Sequence, residues 1–144
     1  MTKVVYNACY GGFGLSQEAC KRYWELQGKE VWIENRDFLD MFTVWLVPPE
    51  ERVVKREWNT MTRDEQLAYN KQYKEQTWDD GGVDRHDPIL VQVVEELGDK
   101  ANGMCAKLAI EEVPGPYRID EYDGFESVET PESYEWIKIG RAHV

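Results

Sequence analysis

The chain has 144 residues, 42% hydrophobic and 12% aromatic, a size and composition that suit one domain with a real core and argue against global disorder. A formal charge of −11 argues against a nucleic-acid backbone or an anionic membrane as the main partner. Three cysteines (Cys9, Cys20, Cys105) without a Cys-x-x-Cys, and only two histidines, read as reduced thiols with no structural metal and no cofactor motif.

Lys3 to Tyr10 reads as a strand with both faces apolar: Val4, Tyr6, Ala8 and Tyr10 on one, Val5, Asn7 and Cys9 on the other. The strand meets the glycine loop Gly11-Gly12-Phe13-Gly14, and Ser16 then caps a helix to about Gln27, with Gly28 as its stop. Glu30 to Glu34 forms a second short strand, with Val31 and Ile33 on one face.

The region 35–82 changes character and is read as a variable insertion lying on the domain. Its apolar run Phe38–Val47 stops at Pro48-Pro49, and Thr62-x-x-Glu65 opens a polar helix to about Thr77. Asp87-Pro88 starts the best-defined helix, whose apolar face is Ile89, Leu90, Val93, Val94 and Leu97 and whose stop is Gly98. Asn102-Gly103 turns the chain into a strand, Ala106–Ile110. Asp123-Gly124 then predicts a two-residue type I′ hairpin that pairs Ile119 with Val128, Arg118 with Glu129 and Glu121 with Glu126. That last pair opposes two like charges, which costs stability unless they are solvated or bridged.

This order predicts an α+β fold: a small mixed or antiparallel sheet with two main helices packed on one face and a partly helical insertion. One core is expected from Val4, Tyr6, Leu15, Ala19, Tyr23, Leu90, Val93, Val94, Leu97, Leu108, Ile110 and Ile119.

The glycine loop before a helix could hold an anion on its N–H groups, but it lacks the Lys-Ser/Thr ending of a nucleoside-triphosphate loop. Arg85 and Asp87 stand at the start of the second main helix. The predicted ligand-binding set is therefore Asn7, Gly11, Gly12, Gly14, Ser16, Arg85 and Asp87, reading an anion between two helix N-termini. Replacing Arg85 should then weaken binding while changing stability little. No catalytic residue is assigned. Cys9 with His86 makes a poor nucleophile–base pair because Cys9 lies in an apolar strand. The acidic run Asp79, Asp80, Asp84 and Asp87 fails the spacing of a calcium loop.

The last six residues, Ile139–Val144, match one reading frame of a common sequencing adapter, ATC GGA AGA GCA CAC GTC. They are expected to be a translation artefact, which leaves 1–138 as the domain and removes His143 from functional reasoning.

Tyr6-Asn-Ala-Cys-Tyr-Gly-Gly-Phe-Gly-Leu-Ser16, Arg85-His-Asp-Pro-Ile-Leu-Val-Gln-Val-Val-Glu-Glu-Leu-Gly98 and Ile119-Asp-Glu-Tyr-Asp-Gly124 resemble a group of uncharacterised proteins of tailed bacteriophages and prophages. The resemblance implies a viral product acting in a bacterial cytoplasm, and no activity. The expected role is non-catalytic binding of a small anionic ligand, a nucleotide among the options, or of a host protein. An acidic decoy for a basic nucleic-acid-binding surface is the alternative, and a small hydrolase using His86, Asp87 and Arg85 the third. Oligomeric state is not legible in the sequence.

Overall fold

The computed structural model describes residues 1–36, 41–54 and 56–131, so Ile139–Val144 lie outside the described residues, as does part of the run Phe38–Val47. The fold is α+β, and among the described residues every strand pairing is antiparallel. Among the described residues the strands form three small sheets, where one small sheet was expected. β1 (Thr2–Asn7) pairs with β5 (Leu108–Val113), from Thr2↔Val113 to Asn7↔Leu108. β2 (Trp32–Asn35), β3 (Phe42–Trp45) and β4 (Thr77–Trp78) form the second sheet, and β6 (Arg118–Tyr122) and β7 (Phe125–Glu129) form the hairpin.

The α-helices of the described residues begin where their caps dictate. In α1 (Gln17–Glu25) the Ser16 hydroxyl accepts the Ala19 N–H. In α2 (Arg63–Gln76) both bonds of the Thr62–Glu65 capping box form. In α3 (Pro88–Leu97) Asp87 accepts the Ile89 N–H, and Gly98 at φ +57 ends the helix. The hairpin register is the expected one, with Asp123 and Gly124 both at positive φ as a type I′ turn requires.

α3 packs on β1 and β5, while α1 packs mainly on α3 and on the 3-10 turn Gly98–Ala101 that follows it. Leu90, Val93 and Val94 meet Leu15, Ala19, Cys20 and Tyr23 in one core, with Leu97, Leu108 and Ile110 packed against it. Each fully buried aliphatic side chain there contributes about 1.5–3 kcal/mol of burial free energy. β1 corrects one expectation: Val5, not Val4 or Tyr6, joins this core. Val4 and Val5 are both fully buried, so the strand is covered on both faces and alternation alone could not choose between them. Ile119 is only half-buried and lies outside the cluster.

The middle region is tied into the domain. Val44 of β3 is buried in the same core, and Trp78 of β4 stacks on Tyr23 with ring centroids 5.0 Å apart. No helix among the described residues is long and apolar enough to cross a membrane.

Candidate functional site

β1 needs partners on the edge that does not face β5, and it takes them from two distant segments. The Val5 N–H donates to the Arg85 carbonyl at 2.8 Å, and the Asn7 N–H donates to Glu126 Oε1 at 2.8 Å. Glu126 is 4% exposed and receives both arms of the Arg85 guanidinium, at 2.5 and 2.9 Å. The expected like-charge clash with Glu121 is thereby resolved, because Glu126 turns inward onto a cation.

Arg85 does come to the glycine loop: its guanidinium lies 3.5 Å from the centroid of the Phe13 ring. Its fork is nonetheless fully engaged by Glu126, so it cannot clamp an incoming anion without breaking a buried ion pair. The same ion pair is at odds with the expectation that replacing Arg85 changes stability little.

The other predicted residues are also spent internally. Asn7, fully buried, donates to the Cys9 and Gly124 carbonyls and accepts the Lys107 N–H and the Cys9 thiol. Ser16 caps α1 and donates to the Lys100 carbonyl. Asp87 fills the α3 N-terminus with its own carboxylate and accepts the Tyr23 hydroxyl at 2.6 Å. Burial first, and then Asp87, pushes the Tyr23 hydroxyl up to about 12. The helix N-termini are therefore filled by their own caps.

Two glycines here answer to backbone contact. A side chain at Gly11 would start 1.8 Å from the Cys105 carbonyl oxygen. Gly124, at φ +86, presses the hairpin turn against Tyr10 and Gly12.

The loop also forms one wall of a cleft of about 540 Å³. Gly11 to Leu15 and Gly103 to Cys105 face β3, Arg36, Tyr73 and the segment 77–80 across it. Among the described residues, the Phe13 and Gly14 N–H groups have no hydrogen-bond partner. The next amide, that of Leu15, donates to Asp80 Oδ2 at 2.7 Å. Burial raises the Asp80 carboxyl above its ordinary value, the Leu15 amide opposes this, and Asp79 adds to it. Arg36 donates from Nε to Thr43 Oγ1 and from Nη2 to the Tyr73 hydroxyl, which leaves Nη1 unpaired among the described residues. Of the predicted set, Gly11, Gly12 and Gly14 line this cleft, whereas Asn7, Ser16, Arg85 and Asp87 do not.

The groups considered for chemistry point to separate partners. The Cys9 thiol donates to Asn7 Oδ1 and to the Cys105 carbonyl, and His86 Nδ1 lies 2.6 Å from the Tyr117 hydroxyl. Burial, reinforced by Asp80, pushes the Cys20 thiol far up and makes it inert. Asp79 caps its own turn at the Gly81 N–H, while Asp80 and Asp87 serve Leu15 and α3.

Sequence reasoning missed Arg36 and weighed Asp80 only as part of an acidic run, since neither sits on a face that a helical or alternating pattern marks. The chain matches no protein-family model, no curated protein and no solved structure.

Proposed function

We propose that this chain is a non-catalytic binding protein that takes a small anionic ligand of nucleotide size in the glycine-loop cleft. The observation that carries the reading is the meeting of the unpaired Phe13 and Gly14 amides with the Arg36 guanidinium around one cleft of about 540 Å³. That volume falls within the range of small-ligand pockets, roughly 300–1,000 Å³. Two amides and a guanidinium supply donors to an anionic group. Phe42, Tyr73 and Trp78 offer walls for a flat ring, and Asp80 can accept a donor on its edge.

The test is a thermal-shift and calorimetric screen against nucleoside mono- and triphosphates and cyclic dinucleotides. A ligand at 100 times its dissociation constant adds about 2.7 kcal/mol to stability. Arg36→Ala should weaken binding by ~1.5–3 kcal/mol, the scale of a hydrogen bond to a charged group. Asp80→Asn should change the preference among bases. A screen in which no nucleotide raises the melting temperature, or an Arg36→Ala protein that binds as tightly as the parent, defeats the reading.

A further inference from the structure

A second concavity, of about 520 Å³, shares Arg36 and Tyr73 with the glycine-loop cleft and adds Arg52, Trp45, Tyr69 and Asn70. In a chain of net charge −11, two guanidinium groups against one carboxylate, Glu34, among the described residues lining this pocket are a local reversal of sign. Arg52 is held there by its scaffold. Gln76 at the end of α2 donates to the Glu51 carbonyl and accepts the Val53 N–H at 2.8 Å, fixing the backbone on both sides of it.

The Arg52 side chain is 18% exposed and its guanidinium lies 4.9 Å from the centroid of the Trp45 ring. Its Nη1 lies 3.5 Å from Glu34 Oε2, and its buried Nε has no hydrogen-bond partner among the described residues. Arg36, the residue after β2, contributes Nη1, which has no partner among the described residues. Burial first, and then Tyr73, holds the Tyr69 hydroxyl above its ordinary value, so it stays protonated and can donate.

We infer that this pocket is an anion site of its own, taking a phosphate monoester that carries a flat ring, with Arg52 and Arg36 on the phosphoryl oxygens and the ring against Tyr69. Phosphate is favoured over carboxylate because a dianion offsets the charges of both guanidinium groups, which a carboxylate's single charge does not. The aromatic walls favour an ester with a ring over the free ion.

Isothermal calorimetry at fixed ionic strength with phenyl phosphate, inorganic phosphate and benzoate tests this. Phenyl phosphate should bind most tightly, inorganic phosphate more weakly and benzoate least. Arg52→Gln and Arg52→Lys should each weaken phenyl phosphate by about tenfold or more, since lysine keeps the charge but loses the fork. Asp80→Asn, in the glycine-loop cleft, should leave it unchanged, so the two sites can fail separately. If circular dichroism shows the Arg52 variants unfolded, Tyr69→Phe, which deletes one hydroxyl, should weaken phenyl phosphate several-fold. Absent binding of both phosphates, benzoate equal to phenyl phosphate, or unchanged affinity in the folded variants would overturn the inference.

Discussion

Replacing Arg85 with methionine should destabilise the protein by about 3 kcal/mol. The substitution keeps an unbranched stem but removes the guanidinium that lies over Phe13 and both its bonds to a carboxylate that is 4% exposed. Removing one partner of a buried ion pair costs about 3–5 kcal/mol, because the other charge stays behind without compensation. The low end applies here, since the Asn7 N–H still donates to Glu126 and Arg85 itself is 16% exposed. Glu126→Gln should cost less, as the amide oxygen can still accept from Asn7 while the freed guanidinium has some access to water. The double variant Arg85→Met/Glu126→Gln should then be little worse than Glu126→Gln alone, giving a coupling energy of at least ~1.5 kcal/mol. Urea unfolding of the four proteins at neutral pH, with slopes held equal, measures these differences. A cost under ~1 kcal/mol for Arg85→Met, or strictly additive single variants, would refute the reasoning.

Two further outcomes follow from the glycine loop and the cleft. Gly11→Ala should lower stability by more than ~2 kcal/mol in the same assay, because its new carbon would start 1.8 Å from the Cys105 oxygen and backbone must move. Asp80 has a raised carboxyl in the fold, so its contribution is fully present below the unfolded-state value and is lost as pH rises through the folded one. Asp80→Asn keeps an acceptor for Leu15, and should therefore flatten the decline in stability above the ordinary carboxylate range and leave the variant relatively more stable at neutral pH. Melting curves from pH 3.5 to 7, roughly spanning that range, check the sign, and a variant that declines as steeply as the parent would contradict it.

Local chemistry was legible in the sequence where one residue type fixes one geometry. Asp123-Gly124 set the hairpin register to the residue, and Ser16, Thr62 and Asp87-Pro88 marked three helix starts. β1 was legible as a buried strand but not as to face, because Val4 and Val5 are equally covered. Arg85 was rightly drawn to the glycine loop, yet its partner was overlooked. The opposition of Glu121 and Glu126 held the clue, since a like-charge pair in a hairpin calls for a cation. Arg36 and Arg52 were out of reach. Their approach depends on the pairing of β2 with β3 and on Gln76 clasping the segment 51–53, contacts between residues 7 to 25 positions apart that no periodicity announces.

The closure of β1 also sets an order of events during synthesis. Its amides wait for Leu108–Val113, for the Arg85 carbonyl and for Glu126, the last lying 119 positions further along the chain. At about 5–20 residues per second, the ribosome needs several seconds to deliver that carboxylate. Through that interval an apolar strand stands with one or both edges open, as a template for another nascent chain. Of the strands described, β1 emerges before the others and is finished last, and the hairpin that finishes it acts as a latch.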